Sequence, residues 1–275
     1  MSNVLFLSPR WIDAAGVTAS SEEGLLAVDH VQTSRPDQVW RATGATAEYI
    51  AWDFGEDVVV EALALVAHNL STDATLRLRL ATSEAGVTAA PGFDSGVVSA
   101  WPSSGKPDDP DWQSYFSLVL AANSTGYRYG RVDIADPTNA DGYVQVGRLF
   151  VGPAFVPTVN VDLNPSLGLV SPDEAGRSAF GHAYGDNRGP AARVMSLPMS
   201  AIDEDEMGDE LFELQRYCGL AKDFGFCLDP EADERFHRYS MQARFSSLTL
   251  FTAQPAWNEN GNQVWQTILA IEEVL

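Results

Sequence analysis

Hydrophobic and polar residues alternate over short stretches in the first 155 residues of the chain. The clearest case is 75–81, where Leu76, Leu78 and Leu80 are separated by Arg77 and Arg79. This period of two is that of a β-strand with one buried face. Because segments rich in Gly, Pro, Asn and Asp separate the alternating stretches, the pattern predicts a β-sandwich of the jelly-roll type. The predicted strands are 4–7, 25–28, 49–55, 58–67, 75–81, 96–100, 112–120, 127–134 and 143–155.

The stretch 143–155 is predicted to be the last strand of this first domain. Gly147 lies where a bulge would shift the alternation, and Gly152 and Pro153 end the strand. We therefore assign Gly152 and Pro153 a structural role at the exit from the domain. The apolar positions of the stretch are Val144, Val146, Leu149 and Val151. The predicted domains are 1–155 for the sandwich, 156–190 for an extended arm or linker, with one strand at 178–184, and 191–275 for a second domain.

The second domain is predicted to carry one helix, at 204–218. Met207, Leu211, Leu214 and Cys218 share one face at helical spacing, and four acidic residues at 203–206 lie where the helix dipole favours anions. Gly219 stands at the C-terminal cap. Strands are predicted at 193–199, 225–228, 239–245 and 263–274, with a hairpin turn at 258–261. The fold class is thus all-β, or β-rich α+β, with a barrel or sandwich as the second domain.

Net charge limits the classes of partner. The formal charge is −21, from 38 acidic and 17 basic residues, and it disfavours non-specific binding to DNA or to an anionic membrane. The two cysteines, Cys218 and Cys227, form neither a disulfide framework nor a metal-ligand spacing, as in a protein of a reducing compartment. The start of the chain lacks the features of a secretory signal, and no apolar run approaches the roughly 20 residues that span a bilayer. We expect no membrane partner.

Tryptophans beside predicted loops are the candidates for ligand contact. Trp40, Trp101 and Trp112 lie in or next to such loops, and flat rings at the loop end of a sandwich can stack on sugars. These three are the candidate carbohydrate-binding residues. The alternative is that each ring packs in the core or at a subunit interface, since tryptophan is highly buried on average.

The sequence contains no recognisable catalytic or metal-binding motif. None of the four histidines has zinc-like spacing, and there is no nucleophile elbow, P-loop or dinucleotide motif. His68 ends the most apolar strand, where histidine usually bonds locally, so we assign His68 and Asn69 structural roles. The acidic segment 108–111 is a weak candidate for holding a cation. We expect no metal, no cofactor and no enzymatic activity.

Two stretches resemble a known family. They are 63–71, Leu-Ala-Leu-Val-Ala-His-Asn-Leu-Ser, and 143–157, Tyr-Val-Gln-Val-Gly-Arg-Leu-Phe-Val-Gly-Pro-Ala-Phe-Val-Pro. With the Leu-Arg-Leu of 76–78, they resemble the galactose-binding-like, discoidin-type jelly roll of tail-tip proteins of tailed, siphophage-like bacteriophages. The second domain is similar to the ring-forming domain of distal tail and tail-tube-like proteins in its order of strands and acidic-capped helix. Distal tail proteins have these two domains in the reverse order.

The resemblance implies a structural virion protein of a phage tail tip, similar to a distal tail protein. Such a protein would form a ring between the tail tube and the hub and display the jelly roll at the periphery. It implies self-association, with a hexamer favoured and a trimer as the alternative, tail tube and hub proteins as partners, and DNA only as passing cargo. The protein would be located in the virion tail, after assembly in the host cytoplasm.

Two other functions remain open at the level of the sequence. The first is a carbohydrate-binding module protein that attaches a particle to host-surface glycans. The second is a glycan-cleaving enzyme, but carboxylate pairs arise by chance among 38 acidic residues, and nothing selects one pair.

Overall fold

The computed structural model describes residues 2–35, 37–108, 114–257 and 261–275. Strands take up 44% and helices 12%, which confirms the predicted β-rich fold class. The strands in chain order are β1 (Leu5–Leu7), β2 (Gly16–Ala19), β3 (Trp40–Arg41), β4 (Glu48–Val59), β5 (Ala62–Val66), β6 (Thr75–Ala81), β7 (Phe93–Asp94), β8 (Val98–Ser99), β9 (Phe116–Leu120), β10 (Gly126–Ala135), β11 (Gln145–Val146), β12 (Arg148–Gly152), β13 (Ala154–Phe155), β14 (Ser166–Val170), β15 (Glu174–Arg177), β16 (Ala183–Asp186), β17 (Ala192–Asp203), β18 (Phe224–Cys227), β19 (Ser240–Ser247), β20 (Thr252–Trp257) and β21 (Gln263–Glu273).

The helical segments are short, apart from the one that the sequence predicted. They are α1 (Arg10–Ala14), a 3-10 helix (Val28–Gln32), α2 (Gly86–Ala89), a π-helix (Glu206–Phe212) that continues into α3 (Glu213–Cys218), and α4 (Phe236–Tyr239). Leu211, Leu214 and Cys218 are buried on one face, as predicted, whereas Met207 is only half-buried. The N–H of Gly219 donates to the carbonyl of Gln215 at 2.8 Å and ends the helix at the predicted cap.

The chain divides into two compact units. The first comprises Met1–Thr158 and Lys222–Gln242, and the second comprises Val159–Ala221 and Ala243–Leu275. The segment 222–242, which the sequence placed in the second domain, thus belongs to the first unit. Strand pairing explains this difference, because β18 pairs with β1 from Leu5↔Cys227 to Leu7↔Gly225.

Two antiparallel sheets face each other in the first unit. The larger has the order β2-β4-β10-β6, with β7 and β8 both paired to β6, and the smaller has the order β12-β5-β9. Val132 of β10 lies between Ile50 of β4 and Leu78 of β6, and this register sets which side chains point inward. The buried core between the sheets includes Ile50, Trp52, Leu76, Leu78, Leu80, Val132 and Ile134 from the larger sheet and Leu63, Leu65, Val119, Leu149 and Val151 from the smaller sheet.

The smaller sheet is covered on both faces. All five residues of β5 are buried. A second buried cluster forms on the face away from the larger sheet, and Leu5 and Leu7 of β1 and Cys227 of β18 belong to it. The first unit is therefore a β-sandwich with an additional layer supplied by β1 and β18.

The stretch 143–155 forms three short strands instead of one. Gly147 separates β11 from β12, and its N–H lies 3.1 Å from the carbonyl oxygen of Val66. A Cβ at Gly147 would lie 2.9 Å from the Cβ of Ala67, so only glycine fits there. Gly152 has a φ of 150°, a conformation that favours glycine, and Pro153 then separates β12 from β13.

The second unit is built on an antiparallel sheet of order β14-β17-β21. Leu197 of β17 pairs with Leu269 of β21, and both are fully buried. The other edge of β21 pairs with two strands. The first part of β21 pairs with β20, and the last part of β21 pairs with the end of β19. Among the described residues the sheet does not close on itself, so the barrel alternative does not apply.

Several local predictions differ from the structure. The predicted break between the strands 49–55 and 58–67 is absent, because β4 continues to Val59 and β5 begins at Ala62. The predicted arm, 156–190, contains β14 and a hairpin of β15 and β16 in place of one strand at 178–184. The predicted strand at 25–28 is absent: a 3-10 helix begins at Val28, whose N–H donates to Glu22 Oε1 at 2.9 Å. The strand predicted at 96–100 is limited to β8. Most of the predicted turn at 258–261 lies outside the described residues.

Candidate binding site

The tryptophans selected from the sequence do not present free rings. Trp40 is fully buried, and its Nε1 donates to the carbonyl of Ser21 at 3.0 Å. Trp101 is 5% exposed, and its Nε1 donates to the carbonyl of Ser71 at 2.6 Å. Both rings therefore pack in the core, which is the alternative given for them above, and neither has a face on which a sugar can stack. Trp112 lies outside the described residues.

His68 is a buried member of a hydrogen-bonded network in the first unit. Its Nδ1 accepts from the N–H of Leu70 at 3.3 Å, so the proton of the neutral ring lies on Nε2 and is donated to Ser117 Oγ at 2.8 Å. Ser117 in turn donates to the carbonyl of Ala100 at 2.6 Å. Burial, with Lys106 nearby, lowers the pKa of His68 to about 3. The pair is not a nucleophile and base, since Ser117 is fully buried.

Asn69 links two loops of the first unit. Its Nδ2 donates to Asp141 Oδ2 at 2.9 Å and to the carbonyl of Tyr143 at 3.0 Å. Its Oδ1 accepts from the N–H of Gln145 at 2.8 Å. These contacts connect the loop after β5 with the segment that leads into β11.

An open pocket lies on the outer face of the larger sheet, and we call it the outer-face pocket. Its volume is about 450 Å³. β2, β4 and β10 contribute its floor, and α2 contributes a wall together with Glu84, two residues before the helix. The side chains of the floor alternate with core residues along each strand. Because alternate residues point to opposite faces of a sheet, the floor residues are on the exposed face. The lining residues used below are Thr18, Tyr49, Ala51, Asp53, Tyr129 and Arg131.

Arg131 is held in a fixed position in this pocket. The carbon of its guanidinium lies 3.6 Å from the ring centroid of Tyr49, and its Nε donates to Asp133 Oδ1 at 2.6 Å. The other oxygen of Asp133 accepts from Arg79 at 2.6 and 2.9 Å. A planar guanidinium held between an aromatic face and a carboxylate is pre-organised to donate to a ligand.

Asp53 of the floor forms an ion pair with Arg128, which is not among the lining residues. The guanidinium of Arg128 donates to both carboxylate oxygens at 2.7 and 2.9 Å, and it lies 5.0 Å from the ring centroid of Tyr129. Arg128 and the N–H of Gly55 lower the pKa of Asp53 to about 2. Asp53 is therefore an ionised acceptor at neutral pH, whereas the general acid of a glycosidase needs a raised pKa.

The described groups of this pocket thus supply binding contacts: two tyrosines, a guanidinium donor and a carboxylate acceptor. Sequence reasoning missed them, although a signal was present: in the predicted strand 49–55, Tyr49, Ala51 and Asp53 alternate with the apolar residues Ile50, Trp52 and Phe54. No cluster of three or more His, Cys, Asp or Glu side chains that could hold a metal occurs among the described residues. Asp109 and Asp111 of the acidic segment lie outside them. No helix in the described part of the chain is long and apolar enough to cross a membrane.

No family model and no curated protein matches this sequence. Solved structures are similar to about half of the chain. The family 32 CBM from C. perfringens NanJ in complex with galactose has 11% identity and a TM-score of 0.39, over 55% of this chain and 99% of that chain. A Streptococcus pneumoniae fucose binding module has 12% identity and a TM-score of 0.36, over 54% and 95%.

A Ruminococcus gnavus GH29 fucosidase in complex with fucose has 9% identity and a TM-score of 0.39. The match covers 54% of this chain and only 27% of the fucosidase. Identities and TM-scores are low throughout. The fold is therefore assigned from the sheet order and register described above.

Proposed function

We propose that the first unit is a non-enzymatic carbohydrate-binding module and that a sugar binds in the outer-face pocket. The observation that carries this proposal is the grouping of Tyr49, Tyr129, Arg131 and Asp53 around one open cavity. Sugars present hydroxyl groups, which both donate and accept hydrogen bonds, and C–H faces, which pack on aromatic rings. The pocket offers a donor and an acceptor for the hydroxyl groups, and two tyrosine side chains line it.

The chemistry favours a neutral sugar. Arg131 and Asp53 supply one fixed donor and one fixed acceptor of opposite charge, whereas the net charge of −21 repels acidic polysaccharides at long range. Neutral hexoses are therefore the substrate class to test first. Galactose and fucose, the sugars named for the similar modules, are the initial probes.

A panel of immobilised neutral and acidic glycans, probed with the intact protein, tests this proposal. The expected result is retention on neutral hexose-terminated glycans, with little on sulfated or sialylated ones. Equal, weak signals across the panel would argue against a carbohydrate-binding role.

As a second candidate, we propose a structural virion protein of a phage tail tip, similar to distal tail proteins. Besides the resemblance of 63–71 and 143–157, one observation favours it. Fourteen of the eighteen large apolar side chains that are exposed among the described residues belong to the second unit, which is about a third of the chain. This concentration of exposed apolar side chains in one unit supports an interaction role for it.

This candidate entails a ring of copies, a hexamer or a trimer, between tail tube and hub proteins. Negative-stain electron microscopy of the purified protein is the test. Rings with a central hole are the expected result, and single particles at every protein concentration would contradict self-assembly.

A further inference from the structure

Phe180 lies at the tip of the hairpin formed by β15 and β16 and is 90% exposed. The turn is closed by two hydrogen bonds of 2.8 Å: the N–H of Gly181 donates to the carbonyl of Ser178, and the N–H of Ser178 donates to the carbonyl of His182. Gly181 has a φ of 82°, which glycine adopts without strain. The turn therefore holds an aromatic ring in solvent on an ordered support.

The hairpin is further braced by Tyr184, whose ring lies over Gly176. A Cβ at Gly176 would lie 2.7 Å from Tyr184 Oη, so the ring occupies the space that the glycine leaves. No acidic residue occurs from 175 to 185, whereas Arg177 and His182 flank the tip. The tip therefore carries no negative charge, although the chain as a whole has a net charge of −21.

The same unit contains a groove on the outer face of its sheet, with a volume of about 500 Å³. Pro198, Leu250 and Ile268 supply apolar lining, and Leu250 and Ile268 are 88% and 57% exposed. Asp162 is the charged residue of the lining, and its Oδ1 accepts from Ser200 Oγ at 2.6 Å. The groove is thus complementary to the hairpin tip in both polarity and charge.

The hairpin and the groove lie at different points along β17. The hairpin joins β17 at Ala192, whereas the groove is lined at Pro198, six residues or about 20 Å along the strand. Phe180 is exposed, so it does not fill the groove of its own chain. A contact between the tip of one copy and the groove of the next uses two different surfaces, and such contacts close into rings or extend into filaments.

We propose that the Phe180 tip of one copy inserts into the Pro198, Leu250 and Ile268 groove of a second copy, with Arg177 placed near Asp162. This inference is independent of sugar binding. It rests on the assembly role proposed as the second candidate and specifies the contact that produces it.

Sedimentation velocity over a range of protein concentrations tests the contact. Phe180→Ser and Leu250→Asp each remove one side of it at an exposed position, with Ile268→Asp as a second groove variant should Leu250→Asp fail to fold. Truncating an interface anchor is expected to weaken association by about 30-fold or more. Leu25→Ser, at a 91% exposed position of the first unit, is the matched control and keeps the wild-type association.

An equimolar mixture of Phe180→Ser and Leu250→Asp gives the sharpest result. One variant retains a groove and the other retains a tip, so the mixture is expected to form heterodimers and nothing larger. A wild-type protein that stays monomeric overturns both the contact and the assembly role. Wild-type-like assembly of Phe180→Ser, or a mixture that stays monomeric, overturns the contact while leaving an assembly role by another surface.

Discussion

Arg148 and Asp223 form a buried, two-pronged ion pair inside the first unit, although they are 75 residues apart in sequence. Nε and Nη2 of Arg148 donate to the two carboxylate oxygens of Asp223 at 2.9 and 3.1 Å, and both side chains are 1% exposed. Nη1 of Arg148 also donates to Asp13 at 2.6 Å and to the carbonyl of Val31 at 3.0 Å. One guanidinium thus connects α1, the 3-10 helix, β12 and the segment 222–242.

Removing one partner of this pair is expected to destabilise the protein strongly. Asp223→Asn leaves the buried guanidinium with Asp13 as its remaining carboxylate, and the loss of a charged hydrogen-bond partner is expected to cost about 1.5–3 kcal/mol of unfolding free energy. Urea denaturation measures the change. Asp37→Asn, which removes a carboxylate from the exposed pair with Arg35, is the control and is expected to have little effect. Equal effects of the two substitutions would contradict the structural role of the buried pair.

His68 is expected to make stability depend on pH. Its pKa is about 3 in the folded protein, against 6.5 for an unperturbed histidine, so the unfolded state binds the extra proton between these values. The contribution of neutral His68 to the free energy of unfolding is fully present above pH 6.5. It is lost as the pH falls below this value, by up to about 1.4 kcal/mol per pH unit.

Urea midpoints measured from pH 7 to pH 5 test this dependence. His68→Gln is expected to flatten the curve in that range, whereas His182→Gln, at an exposed position, retains it. A His68→Gln curve parallel to that of the wild type would show that another group titrates.

Cys227 is expected to be inert in the folded protein. Burial raises the pKa of its thiol well above the ordinary value, and Cys218 is also buried. Since the thiolate is the reactive form, an aromatic disulfide reagent should label neither residue until urea unfolds the protein. Rapid labelling of two thiols per chain in native buffer would refute this prediction.

Gly130 is expected not to tolerate a side chain. A Cβ there would lie 2.4 Å from Cε2 of Trp52, so Gly130→Ala forces the indole to move and is expected to cost about 1–3 kcal/mol. Gly16→Ala is the matched control on another strand of the same sheet, because nothing lies within 4 Å of its added Cβ. Thermal unfolding of the two variants gives the comparison, and similar midpoints would contradict the close packing.

Local patterns predicted the elements well where one face is buried. The alternation of Leu76, Leu78 and Leu80 with arginines gives β6, and the helical spacing of Leu211, Leu214 and Cys218 gives the buried face of the helix. These signals are short-range, because a period of two or 3.6 records which side of a single element is buried.

Long-range relationships were not predictable in the same way. The grouping of 222–242 with the first unit depends on β18 pairing with β1 and on Asp223 meeting Arg148, and neither contact leaves a local pattern. Trp40 and Trp101 lie beside loops in sequence, but their rings point into the core. The outward direction of Tyr49 and its neighbours on β4 could be predicted from the alternation. The pocket itself could not, because its wall comes from α2, far along the chain.

The proposed ligand of the outer-face pocket in the first unit is a neutral sugar. Titration calorimetry with galactose and with fucose tests it most directly, on the wild type, Arg131→Ala and Arg77→Ala. Arg77 points from the same face of the same sheet but is not among the residues that line the pocket, so it is the matched control. We predict saturable binding of at least one sugar to the wild type and to Arg77→Ala, and binding weaker by about 10-fold or more in Arg131→Ala, as expected for loss of a charged hydrogen-bond donor. Absence of binding of both sugars to the wild type, or equal affinity in the wild type and Arg131→Ala, would contradict the claim.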